Sequence, residues 1–212
     1  YEIRHVFNSL FGFLAILFTG LLGKYLWGWR GGLIAVLMLV LSPRFFGHTM
    51  NNPKDIPFAA FYIMGIYFMI KFIREFPQPA KKTMIWLIVA IACSISVRIG
   101  GLLLIAYLGL FLLVELGRHF YVQKVSGPDR SELFKKAIRY GLIVVVIGYF
   151  AGLIFWPYGH QNPFTNPFKA LQHMSDFPVT ISTLFEGKMI PSSRVPWDYI
   201  FTYLTYTSPL FA

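Results

Sequence analysis

The sequence predicts an all-α fold, a polytopic bundle of about six to seven membrane helices with an extracytoplasmic loop region towards its C-terminal end. Hydrophobic residues make up 56% of the 212 residues and charged residues 13%, and the mean hydropathy is +0.59. Soluble domains carry about 45–50% apolar and about 25% charged residues, so this chain has too few polar side chains to cover a water-facing surface. Solid apolar runs, rather than alternation, exclude a membrane barrel. The single cysteine, Cys93, excludes a disulfide scaffold.

Apolar runs follow one another along the chain and define the predicted spans. They cover residues 6–23, 31–41, 56–70, 83–97, 99–114 and 140–158, and a further run begins near Tyr199. A spanning helix needs about 20 mostly apolar residues. The first and last complete runs satisfy this alone, whereas 31–41 is short enough to be tilted, broken or re-entrant. We therefore predict a transmembrane region at 1–155, a loop region at 156–198 and the start of a further span at 199–212.

Lysine and arginine residues are divided unequally between the two sets of connections. Twelve of the nineteen fall in the set of short connections that includes 117–139, and seven fall in the set that includes 42–55. Because cytoplasmic loops carry the excess of lysine and arginine, we predict that 117–139 is cytoplasmic and that 42–55 and 156–198 are extracytoplasmic. The net charge of +10 is then mainly a topology signal, and no nucleic-acid partner is expected.

Two further patterns concern packing and the membrane surface. Residues 131–139 predict a short basic amphipathic helix that lies on the cytoplasmic surface before the last full span. Gly148 and Gly152 form a small-xxx-small pair, which predicts close helix packing.

The densest group of polar side chains lies in the loop 42–55. It holds Arg44, His48, Asn52, Lys54 and Asp55 between two apolar runs. Taken alone, Asp55 is equally well explained by helix capping and the helix dipole. Cations beside a helix N-terminus, however, suit a phosphate or diphosphate ligand. His48 and Asp55 alone do not define a metal site, so the cofactor stays unknown and a divalent metal stays open.

Two other features are candidates for binding. Arg98 separates two apolar runs and leaves room only for a tight helical hairpin, so its charge faces a cavity or a partner, or else reaches back to the headgroups. Beyond Trp156 the chain is rich in aromatic and proline residues, among them Trp197 and Tyr199. Such aromatic faces suit sugars or lipid headgroups, although an interfacial aromatic belt would look the same.

Together these segments resemble the bacterial GT-C glycosyltransferases, in particular the protein mannosyltransferase and aminoarabinose transferase group. Residues 42–48 followed by 52–59 resemble the second extracytoplasmic loop of that family, and this is the most specific part of the resemblance. Segments 4–8, 27–32, 96–101, 184–187 and 196–199 follow the same pattern in order.

The resemblance implies an enzyme that moves a sugar from a polyprenyl-phosphate donor to an acceptor on the extracytoplasmic face of a bacterial cytoplasmic membrane. In the family the general base lies in the first extracytoplasmic loop, which would precede Tyr1, so we expect this chain to be an internal segment. Asp55 matches the second acidic position, which orients the acceptor, a metal or the donor phosphate.

The resemblance also implies roles for the other candidates. The residues expected to neutralise the leaving phosphate are Arg44, Lys54 and Arg98, Asn52 belongs to the same substrate-binding loop, and the sugar or lipid pocket would be shaped by His48, Trp197 and Tyr199. The expected partners are membrane lipids, the lipid-linked donor and further subunits of a membrane complex. The alternative is a non-catalytic structural or accessory subunit of such a complex. A transporter is a third interpretation, but it would need more polar residues in mid-span than Ser94, Ser96 and a few threonines.

Overall fold

The computed structural model describes residues 2–124, 127–175 and 180–207, most of which are helical. The helices are α1 (Glu2–Val40), α2 (Pro43–Asn51), α3 (Asp55–Glu75), α4 (Lys81–Val97), α5 (Leu102–Gly117), α6 (Pro128–Ile154), α7 (Pro157–Gln161), α8 (Asn166–Ser175) and α9 (Tyr199–Thr207). A 3₁₀ turn, Ile99–Gly101, joins α4 to α5, and a π-helical turn, Arg118–Val122, continues α5. Strands β1 (Ser182–Phe185) and β2 (Lys188–Pro191) pair antiparallel. The predicted all-α membrane fold is confirmed.

Within these ranges, four helices are long and apolar enough to cross a membrane. They are α1, α3, α5 together with the turns at its ends (Ile99–Val122), and α6. Helix α4 is shorter, with 17 residues, yet it runs back along α3 from end to end. The total of about six to seven spans therefore stays a prediction. Of the further span predicted at 199–212, α9 covers the first part, and residues 208–212 lie outside the described residues.

Helix α1 contains the first two apolar runs, folded as a hairpin. Its helical geometry is broken at Trp27 and at Gly28, where φ is 72° and ψ is −169°, a conformation that glycine adopts without strain. The first arm, 2–26, and the second arm, 29–40, pack through glycines. A Cβ atom on Gly23 would lie 2.7 Å from the carbonyl oxygen of Gly31, so no larger residue fits there. The short run predicted at 31–41 is therefore a helical arm paired with the first.

The main core lies between α3, α4, α5 and α6. Fully buried side chains from these helices form it, including Met69, Phe72, Leu87, Ile91, Ile95, Leu104, Leu108 and Val144. Helix α6 packs on α4 through its two glycines. A Cβ atom on Gly152 would lie 2.8 Å from Cβ of Ile95, and one on Gly148 would lie 3.0 Å from Cγ2 of Ile91. The close packing predicted for this glycine pair is confirmed.

The separate surface helix predicted for residues 131–139 is wrong. These residues continue without a break into the rest of α6. Pro128 in the first turn favours helix initiation, and Glu132 pairs with Lys136 one turn further on, at 2.7 Å. The sequence has no proline between residues 131 and 154, and proline is the residue that most strongly breaks a helix. The basic segment and the apolar segment therefore form one helix.

Helices α3 and α4 define two opposite ends of the bundle. At one end the carboxylate of Asp55, which begins α3, meets the guanidinium of Arg98, which follows α4. At the other end Glu75 accepts hydrogen bonds from the Thr83 hydroxyl, at 3.1 Å, and from the Ala80 N–H group, at 3.0 Å. We call the end that carries residues 42–55 and 98–101 the site end.

Candidate functional site

The loop 42–55 contains a short helix, α2, rather than irregular chain alone. The Ser42 hydroxyl accepts a hydrogen bond from the Phe45 N–H group at 3.5 Å, and Pro43 occupies the first turn, so the start of α2 follows ordinary capping chemistry. At the other end the Asn52 N–H group donates to the carbonyl oxygen of His48 at 3.0 Å. The loop is thus an ordered helix and turn between the α1 hairpin and α3.

Asn52 orders the start of α3. Its Oδ1 atom accepts hydrogen bonds from the N–H groups of Lys54, at 3.3 Å, and Asp55, at 2.9 Å. Its Nδ2 atom donates to Oδ2 of Asp55 at 2.8 Å and lies 3.4 Å from Nδ1 of His48. Because one amide side chain holds both the backbone and the carboxylate, the orientation of Asp55 is set before any ligand binds.

Asp55 and Arg98 form an ion pair that joins α3 to the end of α4. The distance between Nη2 of Arg98 and Oδ1 of Asp55 is 2.6 Å, and the side chains are 37% and 49% exposed, respectively. The Arg98 backbone is extended, with φ −149° and ψ 143°, and this interrupts the helix between α4 and the 3₁₀ turn. Of the two interpretations left open by the sequence, the structure supports a charge that faces a partner.

A first cavity of about 660 Å³ lies beside this pair. Its polar lining at this end comprises Ser42, Arg44, His48, Asn52 and Asp55. The rest of its wall is mostly apolar and comes from both arms of α1, from α2, from α3 and from α9, with the residues Thr19, Ala35, Met38, Leu39, Phe45, Ile56, Ala59 and Leu204. The first cavity therefore combines one charged end with a hydrocarbon wall built by membrane helices.

A second cavity of about 420 Å³ lies on the other side of the pair. Its charged residues are Lys54 and Arg98, and it is bounded by Ser96, by Trp156 and by α8 through Ala170 and Met174. Asp55 thus lines the first cavity and its partner Arg98 the second. The three cations predicted around one phosphate are divided, with Arg44 on the first cavity and the other two on the second.

The aromatic candidates of the C-terminal region lie elsewhere. Trp197 is 86% exposed and contacts Phe201. The Tyr199 hydroxyl is 3.1 Å from the Thr183 hydroxyl of the β-hairpin. Among the described residues that line the two cavities, neither Trp197 nor Tyr199 is present. Their assignment to the sugar or lipid pocket stays a prediction.

Two residues at the site end were missed from the sequence. Asn8 binds the end of α2, and the Tyr203 ring centroid lies 5.0 Å from the guanidinium carbon of Arg44. Asn8 could have been singled out from the sequence, because it is a polar residue inside the apolar run 6–23. Tyr203 could not, since it is one aromatic residue among many in its segment.

Within residues 2–124, 127–175 and 180–207, no three side chains of histidine, cysteine, aspartate or glutamate are grouped so as to hold a metal ion. We therefore assign no metal ligands at the site end.

Comparison with known proteins gives one family. The model of the family described as dolichyl-phosphate-mannose-protein mannosyltransferase matches residues 3–161, which takes in the chain from the first turn of α1 to the end of α7. The match includes residues 42–55 and Arg98 and excludes the segment with Trp197, Tyr199 and Tyr203. No curated protein and no solved structure matches the chain.

Proposed function

Because the chain belongs to the dolichyl-phosphate-mannose-protein mannosyltransferase family, we propose that its site end binds a polyprenyl-phosphate sugar donor and serves the transfer of that sugar to an acceptor. Family membership makes the protein a membrane glycosyltransferase. We further propose that the site end faces the extracytoplasmic side of a bacterial cytoplasmic membrane, as the lysine and arginine distribution indicates. The observation that carries the assignment of roles is the Asp55–Arg98 ion pair between two cavities.

The chemistry of the transfer defines what the site must provide. The bond between the anomeric carbon of the sugar and the phosphate oxygen breaks, and the phosphate leaves with the electron pair. A new bond forms from the anomeric carbon to an acceptor oxygen, whose proton passes to a base. Negative charge grows on the leaving phosphate, so fixed cations near it stabilise the transition state more than the ground state.

The cations of the site end suit this requirement. Arg44 approaches from the first cavity, and Lys54 and Arg98 approach from the second, with Asp55 between them. A donor phosphate at this boundary would be met by positive charge from both sides. The apolar wall of the first cavity, from α1 and α3, offers an isoprenoid chain a hydrocarbon surface that continues into the membrane.

We propose that Asp55 orients the reacting groups and does not accept the proton. Its Oδ1 atom is paired with Arg98, and its Oδ2 atom accepts a hydrogen bond from Asn52. The Oδ1 contact is an ion pair without hydrogen-bond geometry, so each oxygen already faces a partner within the protein. The proton acceptor is proposed to lie in the acidic loop that the family resemblance puts upstream of these residues.

Transfer of radiolabelled mannose from a polyprenyl-phosphate donor, measured in membranes that contain the full-length protein, tests the proposal. Asp55→Asn and Lys54→Ala are each expected to lower the initial rate by on the order of 100-fold or more, the usual loss when one preorganised electrostatic contact is removed. Size-exclusion chromatography in detergent checks that the variants remain folded.

Two charges at the opposite end of the bundle supply matched controls. Glu132→Gln removes an exposed carboxylate and Lys135→Ala an exposed ammonium group, both on α6. These controls are expected to transfer at the rate of the unaltered protein. Full activity in both Asp55→Asn and Lys54→Ala would refute the assigned roles.

A further inference from the structure

We infer that Asn8 and His5, on the first arm of α1, are positioning residues: they hold the C-terminal turn of α2 and so place Asn52 against Asp55. The kinetic consequence of this inference rests on the proposed function, whereas the placement of α2 does not.

Asn8 binds two carbonyl groups at the end of α2. Its Nδ2 atom donates to the carbonyl oxygen of Thr49 at 2.7 Å and to that of His48 at 3.1 Å. The carbonyl oxygen of His48 already accepts a hydrogen bond from the Asn52 N–H group, so Asn8 gives it a second donor. The carbonyl group of Thr49 belongs to the last turn, whose carbonyl groups lack partners in the helix itself, and Asn8 supplies its donor. The contact thus satisfies a buried polar group that α2 cannot satisfy alone.

The chemistry of the contact fixes the orientation of the amide. Asn8 is only 3% exposed, and its Oδ1 atom is buried without a hydrogen-bond partner among the described residues. Rotating the amide by half a turn would place that oxygen against two carbonyl oxygens, which can only accept. The side chain therefore serves as a donor to α2, at the cost of one unpaired oxygen.

His5 extends the same contact by one turn. Its Nδ1 atom lies 2.8 Å from the carbonyl oxygen of Met50. Because a carbonyl oxygen only accepts, Nδ1 must carry the proton in this contact. The end of α2 is therefore held from α1 at three successive carbonyl groups, those of residues 48, 49 and 50.

Gly12 allows the two helices to come this close. It lies on the same face of α1 as His5 and Asn8, since helical residues three and four positions apart share a face. A Cβ atom on Gly12 would be 2.8 Å from Cγ2 of Thr49. Any side chain at this position would push α2 away from α1.

Asn52 links the placement of α2 to the placement of Asp55 and Arg98. This residue follows α2 directly, and its amide holds the Asp55 carboxylate at 2.8 Å. Asp55 in turn pairs with Arg98. A displacement at the end of α2 would therefore be passed to both members of the ion pair, and a misplacement of about 1 Å can lower a rate about 100-fold.

Distance measurement by pulsed electron paramagnetic resonance tests the placement. Spin labels are attached at Leu10→Cys on α1 and Phe46→Cys on α2, both exposed positions, in full-length protein with Cys93→Ser. Asn8→Leu keeps the volume and removes the donor, so the distance distribution between the labels is expected to widen. Ser9→Ala is the matched control, because the Ser9 hydroxyl bonds only to the Val6 carbonyl of its own helix among the contacts described.

Kinetics in the unlabelled protein test the consequence. Asn8→Leu is expected to lower kcat by on the order of 10- to 100-fold, with a smaller change in KM for the donor. Because the variant leaves the buried Thr49 carbonyl without its donor, its thermal midpoint is also expected to fall, so kcat is expressed per folded protein, as measured by size-exclusion chromatography. If Asn8→Leu does not fold, Gly12→Ala displaces α2 by steric contact and must produce the same widening and the same fall in kcat.

The outcomes separate the inference from the proposed function. An unchanged distance distribution in Asn8→Leu overturns the placement of α2. A widened distribution with kcat equal to that of Ser9→Ala overturns the positioning role. If the unaltered protein transfers no sugar, the proposed function fails, and the distance distribution still decides whether Asn8 places α2.

Discussion

Replacing Asp55 by asparagine and Arg98 by glutamine, singly and together, isolates the energy of their ion pair from the other contacts of each side chain. The Nη2 and Oδ1 atoms are 2.6 Å apart, and the side chains are 37% and 49% exposed. Fully exposed pairs contribute up to about 1 kcal/mol, and breaking a buried pair costs about 3–5 kcal/mol. This half-exposed pair lies close together without hydrogen-bond geometry at Oδ1 and so falls near the exposed limit, and we expect a coupling energy of about 1 kcal/mol for its contribution to the free energy of unfolding.

The assay is reversible unfolding in mixed detergent micelles, followed by circular dichroism, for the unaltered protein, both single variants and the double variant. The coupling energy is the part of the double-variant effect that the two single effects do not account for. Because the pair is partly exposed to solvent, the coupling should fall when the salt concentration is raised to about 1 M, where the Debye length is about 3 Å.

A second ion pair, within α6, provides the comparison. Glu132 and Lys136 lie one helical turn apart at 2.7 Å, with side chains 64% and 31% exposed. Pairs at this spacing on one helix contribute about 0.3–0.5 kcal/mol, so their coupling is expected to be smaller than that of Asp55 and Arg98. Variants at distant, independent sites add within about 0.3–0.5 kcal/mol. A coupling of that size or less between Asp55 and Arg98 would refute the reasoning that this pair fastens α3 to α4.

Two further predictions concern packing and the aromatic contact at the first cavity. Gly152→Ala is expected to destabilise the bundle by about 1–3 kcal/mol, because its Cβ atom would overlap α4; Gly109→Ala, whose Cβ would meet no atom within 4 Å, is the control, and equal unfolding midpoints would contradict the packing. Tyr203→Leu removes the ring from the guanidinium of Arg44, a contact of about 0.5–1 kcal/mol, so KM for the donor should rise roughly two- to fivefold. Tyr206→Leu, at a position 85% exposed, should leave KM unchanged, and identical KM values in the two tyrosine variants would count against the contact.

The membrane helices and their main packing contact could be predicted from the sequence because they depend on local patterns. Apolar runs of sufficient length form helices in lipid whatever surrounds them. The pair Gly148 and Gly152 presents a groove on one helix face, and α4 fills it. The approach of Asp55 and Arg98 also follows a simple rule, since two antiparallel helices joined by a short turn return the chain to the end from which it started.

The internal arrangement of the site could not be predicted, because it depends on contacts between distant segments. Nothing local in residues 42–55 indicates that α2 is held by Asn8, more than three dozen residues earlier in the chain. The division of Arg44 and Lys54 between two cavities follows from the direction in which α2 and the following turn present their side chains. The C-terminal segment contains many aromatic residues. Composition alone therefore could not show that Tyr203, rather than Trp197 or Tyr199, contacts a residue of the first cavity.

The short second arm of α1 has a consequence for the lipid around the protein. At 1.5 Å per residue, the arm from 29 to 40 is about 18 Å long, whereas the hydrocarbon core of a bilayer is about 30 Å thick. Such a hydrophobic mismatch is relieved by local thinning of the bilayer or by flanking side chains that reach to the headgroups. Thinning brings the phosphate layer down towards Arg44, just beyond the end of the arm, and the second response extends the Arg44 side chain up to that layer. A lipid-linked substrate could then present its phosphate to the first cavity while its chain stays in the membrane.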